Sequence, residues 1–105
     1  MRLLVIPPRE LPMYLGDDRV GIVDLRDRSD FEKSHINKAI SIPYEEIEYH
    51  YNELRKYHML ILYCSRGNRS LIAARCMERE GFLCGSIAGG YEAYRMEQRR
   101  RCSFD

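Results

Sequence analysis

Short apolar runs alternate with polar, helix-prone stretches along the chain. The run at residues 59–63 (MLILY) is apolar at every position, which is typical of a strand covered on both faces of a parallel sheet. Shorter β-rich runs lie at residues 3–6, 20–25, 39–42 and 82–88. Strands that alternate with helices at these lengths predict an α/β fold built on an open, mostly parallel sheet.

The polar stretches between these runs predict five helices. They are expected at residues 9–15, from Ser29 or Asp30 to about Lys33, at 44–57, at 69–80, and after the Gly89-Gly90 pair. In the helix at 69–80, Arg75, Glu78 and Arg79 form a narrow polar stripe, so Cys76 is expected to be buried. Cys84, in a predicted strand, is likewise expected in the core, whereas Cys102 is expected to be exposed.

Composition favours one domain over residues 1–105, with a core at about 3–98 and a tail at 99–105. The 17 basic and 16 acidic residues nearly cancel, so neither nucleic acid nor a membrane is expected as partner. The first apolar run is too short for a signal peptide. The four cysteines show no zinc-like spacing, so no metal site is predicted, and reduced thiols in the cytoplasm are expected. The oligomeric state stays open.

Residues 62–70 (LYCSRGNRS) place a cysteine between an apolar strand and a predicted helix. A thiol with a pKa of about 8.5 is mostly protonated at neutral pH, so a nucleophilic cysteine needs its thiolate stabilised. The helix N-terminus, a left-handed Gly67 and the charges of Arg66 and Arg69 can each contribute, with Arg69 the stronger anion ligand. Cys64 is therefore the candidate nucleophile. The candidate anion-binding loop comprises Ser65, Arg66, Gly67, Asn68, Arg69 and Ser70.

This loop and two further segments resemble the single-domain rhodanese-like sulfurtransferases. The loop CSRGNRS is similar to the family's active-site loop, residues 23–43 (VDLRDRSDFEKSHINKAISIP) to the family's D-x-R strand and the turn after it, and residues 81–94 (GFLCGSIAGGYEAY) to its closing strand and double-glycine turn. The sequence departs from the pattern at Ser34 and Lys38, where glycine is usual, at Ser41, where asparagine is usual, and at Tyr94, where tryptophan is frequent.

The resemblance implies a five-stranded sheet with helices on both faces and a persulfide mechanism. Cys64 would take a sulfur atom from a donor such as thiosulfate and pass it to cyanide or a thiol. The partners would be small-molecule donors and acceptors, with a protein thiol as a further kind of acceptor. No metal or organic cofactor is implied beyond the Cys64 persulfide. Asp24, Arg26 and Glu32 are expected to form a charge cluster that fixes the neighbouring loops, and His35 is expected to be structural.

Two alternatives stay open. A cysteine-dependent phosphatase or arsenate reductase also sets a cysteine before an anion-binding loop, but its pattern is C-x5-R, whereas Cys64 and Arg69 form the shorter C-x4-R. The shorter loop should suit one sulfur atom better than a tetrahedral phosphoryl group. The third reading is a non-catalytic binding or regulatory module of the same fold.

Overall fold

A computed structural model describes residues 3–102, and within them five parallel strands form one sheet in the order β1-β5-β4-β2-β3. The strands are β1 (Leu4–Ile6), β2 (Val20–Asp24), β3 (Ile40–Ser41), β4 (Met59–Tyr63) and β5 (Cys84–Ile87). The all-apolar run is β4, and it is the central strand, paired with β2 on one side and with β5 on the other. The α/β fold with an open parallel sheet is thus confirmed.

Within residues 3–102, five α-helices and two 3-10 helices accompany the strands, and the last α-helix follows β5. The α-helices are α1 (Pro12–Leu15), α2 (Arg28–Lys33), α3 (Tyr51–Leu54), α4 (Asn68–Arg79) and α5 (Gly90–Cys102), and the 3-10 helices span Pro8–Glu10 and Tyr44–His50. The tail expected from residue 99 continues α5 as far as Cys102, and residues 103–105 lie outside the described part of the chain.

The alternation of side chains along β4 divides the core into two layers. Leu60 and Leu62 face a cluster with Ala73, Ala74 and Met77 of α4. The intervening positions of β4 face the opposite cluster, which α1, α2 and α5 cover; its members include Leu11, Ile61, Tyr63, Phe31 and Tyr91. Helices therefore lie on both faces of the sheet, as the resemblance implied.

The helices differ from expectation at several boundaries. Segment 44–57 forms a 3-10 helix followed by one α-helical turn, because only Ile47 and Leu54 are buried there and packing imposes little regularity. Helix α2 begins at Arg28, earlier than the predicted caps Ser29 and Asp30, because the Asp27 carbonyl already accepts the Asp30 N–H at 3.0 Å.

The prediction that Cys76 is buried is wrong. Helix α4 buries Ser70, Ala73, Ala74 and Met77, positions spaced three and four apart that form a single stripe. Cys76 flanks this stripe and is exposed. Ala73 and Ala74 let the helix approach the sheet closely on that one stripe, so Ile72 and Cys76 are left exposed and Leu71 is half-buried. Cys84 is buried and Cys102 is exposed, as expected.

None of the helices described between residues 3 and 102 is long and apolar enough to cross a bilayer.

Lys38 adopts the left-handed backbone conformation that glycine favours, with φ 75°. It occupies one of the positions at which the family pattern usually has glycine. Its Nζ donates hydrogen bonds to the carbonyl oxygens of Leu15 at 2.8 Å and Asp17 at 3.2 Å. The side chain therefore ties the turn before β3 to the segment before β2 while its backbone is strained.

We expect Lys38→Gly to be more stable than Lys38→Ala by about 1 kcal/mol, because both lose the Nζ contacts and only alanine keeps the left-handed strain. The free energy of unfolding from urea titration measures this. At Lys33, the last residue of α2, the order should reverse, with glycine less stable than alanine. The same order at both positions would contradict the prediction.

Candidate active site

Cys64 is the first residue after β4, at the carboxyl edge of the sheet, where ligands bind in open parallel α/β folds. The side chain is only 6% exposed, and the short loop that follows it leads directly into α4. The helix begins at Asn68 with Gly67 at its N-cap, so Arg69 lies in the first turn and Ser70 is not the cap residue. The sulfur therefore lies beneath the N-terminus of a twelve-residue helix.

Two backbone N–H groups of this helix start point at the sulfur atom. The Gly67 N–H donates to Cys64 Sγ at 3.2 Å and the Ser70 N–H donates at 3.4 Å, while the Ser70 hydroxyl oxygen lies 3.6 Å from Sγ. Burial raises the pKa of Cys64, but these bonds from Ser70 and Gly67, with one from the Arg69 backbone, outweigh it and lower the pKa below that of an ordinary thiol. The site thus favours the thiolate.

Helix α5 fixes the orientation of the loop. Its first N–H groups donate to loop carbonyls, from Tyr91 to Cys64 O at 2.8 Å and from Glu92 to Ser65 O at 3.0 Å. With these carbonyls turned toward α5, the N–H groups further along the loop turn toward Sγ. Gly90, with φ +66°, permits the approach, since a Cβ there would lie 2.5 Å from Cys64 O.

A buried pair of hydroxyl groups lies behind the sulfur. Ser70 Oγ is 2.7 Å from Ser86 Oγ of β5, and both residues are almost completely buried. Ser70 has one hydroxyl proton and three acceptors within reach: Ser86 Oγ, the Gly67 carbonyl at 3.2 Å, and Cys64 Sγ once it is a thiolate. If Ser86 donates to Ser70, the Ser70 proton is available to the thiolate, and the two bonds polarise each other. Ser86 thus acts on Sγ through the Ser70 hydroxyl group.

The two loop arginines are exposed, and each pairs with a carboxylate. Arg66 Nε lies 3.2 Å from Glu92 Oε2, and Arg69 Nη1 lies 3.4 Å from Glu45 Oε2. The Arg69 guanidinium also lies 5.2 Å from the centre of the Tyr44 ring. Neither arginine is hydrogen-bonded to Sγ, so backbone groups rather than these side chains contact the sulfur.

A pocket of about 440 Å³ opens above the sulfur. Its lining residues are Leu25, Arg26, Asp27, Asp30, Cys64, Ser65, Arg66, Asn68, Arg69 and Glu92. All but two of the predicted loop residues therefore reach its wall: Gly67 contributes its N–H to the sulfur, and Ser70 is buried beneath it.

The predicted charge cluster forms only in part. Asp24 is fully buried and its Oδ2 lies 2.7 Å from Arg26 Nη2, and Arg26 also donates to the Ser34 carbonyl at 2.7 Å. The Arg26 guanidinium stacks over the Tyr91 ring at 4.0 Å, so the pair joins the end of β2 to α5. Glu32 is exposed on α2, and no bond to this pair is found for it within residues 3–102.

The other predicted site and thiol residues fall outside the pocket. The His35 Nδ1 lies 2.7 Å from the Phe31 carbonyl and its ring stacks on Phe31, a structural arrangement away from the sulfur. Burial raises the pKa of Cys84 to about 12, so this thiol is unreactive at neutral pH. Across the described chain, no three His, Cys, Asp or Glu side chains lie close enough together to hold a metal ion.

Sequence reasoning missed six residues around the sulfur. Ser86 lies behind it, Glu45 pairs with Arg69, and four more line the pocket: Leu25, Asp27, Asp30 and Glu92. A serine within the otherwise apolar strand 84–87 was a usable signal, because a buried hydroxyl needs a partner. Glu45 and Glu92 gave no such signal in the sequence. Exposed glutamates on helices are common, and the arginines with which these two pair lie more than 20 residues away.

Gly90→Ala should displace the loop, because its Cβ would lie within 2.7 Å of three backbone atoms of residues 64–66. We expect the free energy of unfolding to fall by about 2 kcal/mol and the alkylation of Cys64 at neutral pH to slow. Gly16→Ala is the matched control, since nothing lies within 4 Å of its Cβ position, and it should be near neutral. Equal effects of the two substitutions would contradict this role of Gly90.

Ser86→Ala should raise the pKa of Cys64 by withdrawing the donor behind Ser70. Because alkylation follows the thiolate fraction, its pH profile should move to higher pH, and the rate below the midpoint should fall roughly two- to tenfold. Iodoacetamide kinetics measure this in a background carrying Cys76→Ser and Cys102→Ser, which removes the exposed thiols. Ser41→Ala is the control, because Ser41 Oγ is buried with no hydrogen-bond partner among the described residues. An unmoved profile in Ser86→Ala would refute the arrangement.

Comparison with known proteins adds independent information. Residues 8–97 match the family model of the rhodanese-like domain. The chain is 32% identical over 91 residues to the thiosulfate sulfurtransferase GlpE of Pseudomonas syringae pv. syringae (strain B728a), covering 86% of this chain and 85% of that protein. It is 38% identical over 67 residues to the "Putative sulfur carrier protein YrkF" of Bacillus subtilis (strain 168), covering 64% of this chain but only 36% of that protein.

Solved structures agree with the fold. A rhodanese-like domain protein from Staphylococcus aureus superposes with a TM-score of 0.77 at 27% identity, covering 90% of this chain and 91% of that one. A rhodanese-related protein from Thermoplasma volcanium gives a TM-score of 0.81 at 21% identity, covering 90% and 92%. With the family match extending over most of its length and this architecture in common, the chain belongs to the rhodanese-like domain family.

Proposed function

We propose that this protein is a sulfurtransferase that carries sulfane sulfur on Cys64. The observation that carries the proposal is the convergence of the Gly67 and Ser70 N–H groups on Sγ at 3.2 and 3.4 Å. This arrangement stabilises a thiolate before the reaction and an anionic persulfide after it. The relationship to a thiosulfate sulfurtransferase over most of both chains supports the same chemistry.

The first half-reaction loads the sulfur. The Cys64 thiolate attacks the outer sulfur of a donor such as thiosulfate, a new bond forms between Sγ and that sulfur, and the S–S bond of the donor breaks. Sulfite leaves with the bonding electron pair. The extra sulfur then lies in the pocket above Sγ, within reach of the remaining N–H groups of the loop.

The second half-reaction unloads the sulfur. Cyanide or a thiolate attacks the outer sulfur of the persulfide, the bond to Sγ breaks, and its electron pair returns to Cys64 as the thiolate. Neither step needs a general base, because the stabilised thiolate is both the nucleophile and the leaving group. This agrees with the position of His35 away from the sulfur.

The tightness of the loop favours sulfur over phosphoryl transfer. Residues 64–70 close around Sγ so that two N–H groups contact one sulfur atom directly, and the loop has one residue fewer than the phosphatase pattern. A tetrahedral phosphoryl group needs donors for three outer oxygens. We therefore place phosphatase or arsenate reductase activity second and a non-catalytic module third.

Thiosulfate should add one sulfur atom to the wild-type protein, and cyanide should remove it as thiocyanate. Intact-mass spectrometry measures the gain and its reversal at millimolar thiosulfate. Cys64→Ser should abolish both, whereas the matched Cys76→Ser, which removes an exposed thiol of α4, should leave both unchanged.

The alternatives give different results in the same experiment. Cys64-dependent release of phosphate from an aryl phosphate, without a gain in mass, would replace the proposal with the phosphatase. No gain in mass from thiosulfate or from an organic persulfide, and no phosphate release, would favour the binding module.

A further inference from the structure

Basic and acidic side chains line the pocket above Cys64 in equal number, but every basic one has an acidic partner. Three guanidinium groups and three carboxylates line it, and two further carboxylates pair with those guanidinium groups from outside the wall. The guanidinium groups are those of Arg26, Arg66 and Arg69, and the carboxylates are those of Asp24, Asp27, Asp30, Glu45 and Glu92.

All three arginine side chains form ion pairs with carboxylates. Arg26 is held by buried Asp24, with side-chain exposures of 8% and 0%, so this pair is neutral as a unit. Arg66 pairs with Glu92 at 3.2 Å, and Arg69 pairs with Glu45 at 3.4 Å. Exposed pairs of this kind are weak, yet each still places a negative charge beside the positive one.

Two carboxylates of the pocket wall have no paired cation among the described residues. Asp27 and Asp30 line the pocket from the start of α2. In the described part of the chain, no Lys or Arg nitrogen lies within 4.0 Å of either carboxylate, and the adjacent Arg28 is engaged by Glu46 at 2.9 Å. The field at the mouth of the pocket is therefore negative on the side of α2.

Such a field opposes a dianion. Thiosulfate carries two negative charges, and a carboxylate within several ångströms of a bound anion repels it by an amount that salt can screen. A donor that carries a positive group next to its sulfane sulfur gains from the same carboxylates. The loop N–H groups still stabilise the sulfur itself, whichever donor supplies it.

We infer that the pocket selects a cationic organic persulfide, R–S–S–H with a positive charge on R, over inorganic thiosulfate, with Asp27 and Asp30 as the specificity-determining residues. This inference rests on the proposed sulfurtransferase function. The Cys64 thiolate attacks the outer sulfur, the bond from Sγ to that sulfur forms, and the donor S–S bond breaks. R–S⁻ leaves with the electron pair, and the proton stays on the transferred sulfur or passes to solvent.

Two donors of matched size and opposite charge test the inference. Cysteamine persulfide carries an ammonium group, and 3-mercaptopropionate persulfide carries a carboxylate at the same distance from sulfur. For the wild-type protein, kcat/KM with cyanide as acceptor should be roughly three- to tenfold higher with the ammonium donor. Added potassium chloride should raise kcat/KM for thiosulfate and lower it for cysteamine persulfide.

The double variant Asp27→Asn with Asp30→Asn should bring the ratio of the two donors close to one and remove the rise with salt for thiosulfate. Because both donors report on the same folded protein, a general loss of activity cannot produce that change in ratio. Asp18→Asn is the matched control: its fully exposed carboxylate precedes β2, at the opposite edge of the sheet from Cys64, and the ratio should not change.

The results separate this inference from the proposed function. Equal kcat/KM for the two persulfides, or a thiosulfate rate that falls with salt, would overturn the inference and leave sulfur transfer standing. No gain of sulfur on Cys64 from any of the three donors would overturn the proposed function itself. A donor ratio unchanged by the double variant would assign the selectivity to other groups and overturn the role of Asp27 and Asp30.

Discussion

The site depends on two hydrogen bonds that bind the loop after β4 to the first turn of α5. Tyr91 and Glu92 donate to the carbonyls of Cys64 and Ser65, and this fixes which way the following peptide groups face. Without these bonds the loop carbonyls could turn toward Sγ, and an anionic sulfur would then be repelled rather than held. Gly90 makes the approach possible, because a side chain there would overlap the loop backbone.

The same sheet presents two buried cysteines, and their difference shows what the loop contributes. Cys84 lies within β5, where burial, with a smaller contribution from the charge of Glu78, raises the pKa to about 12. Cys64 is also buried, yet N–H groups from the start of α4 reverse the effect and lower its pKa. Burial excludes water from both thiols, and only the one at the strand end meets unpaired backbone donors. The position of a cysteine relative to a helix start thus decides its chemistry here.

The fold was largely predictable from local pattern. The apolar run 59–63 and the turn glycines reflect short-range constraints, so the central strand and the start of α4 were placed correctly to within a residue. The exposure of Cys76 was not predicted, because apolar and small residues cover most of α4 outside one narrow polar stripe, and the sequence does not indicate which part of that wide surface meets the sheet. Within the site, the Cys64 loop was predicted from the sequence because its residues are contiguous. The contacts of Ser86, Glu45 and Glu92 join distant segments, and a single sequence carries no record of such pairings.

Backbone N–H groups, rather than side chains, stabilise the sulfur. This separates the stabilisation of the sulfur anion from the charge of the pocket rim, two tasks that an arginine at the sulfur would combine. The N–H groups of Gly67 and Ser70 hold the charge of a thiolate or persulfide whatever residues line the pocket. Arg66 and Arg69 can then pair with carboxylates without loss of the nucleophile. Charges on the rim are therefore open to change with the donor while the reacting atom stays fixed.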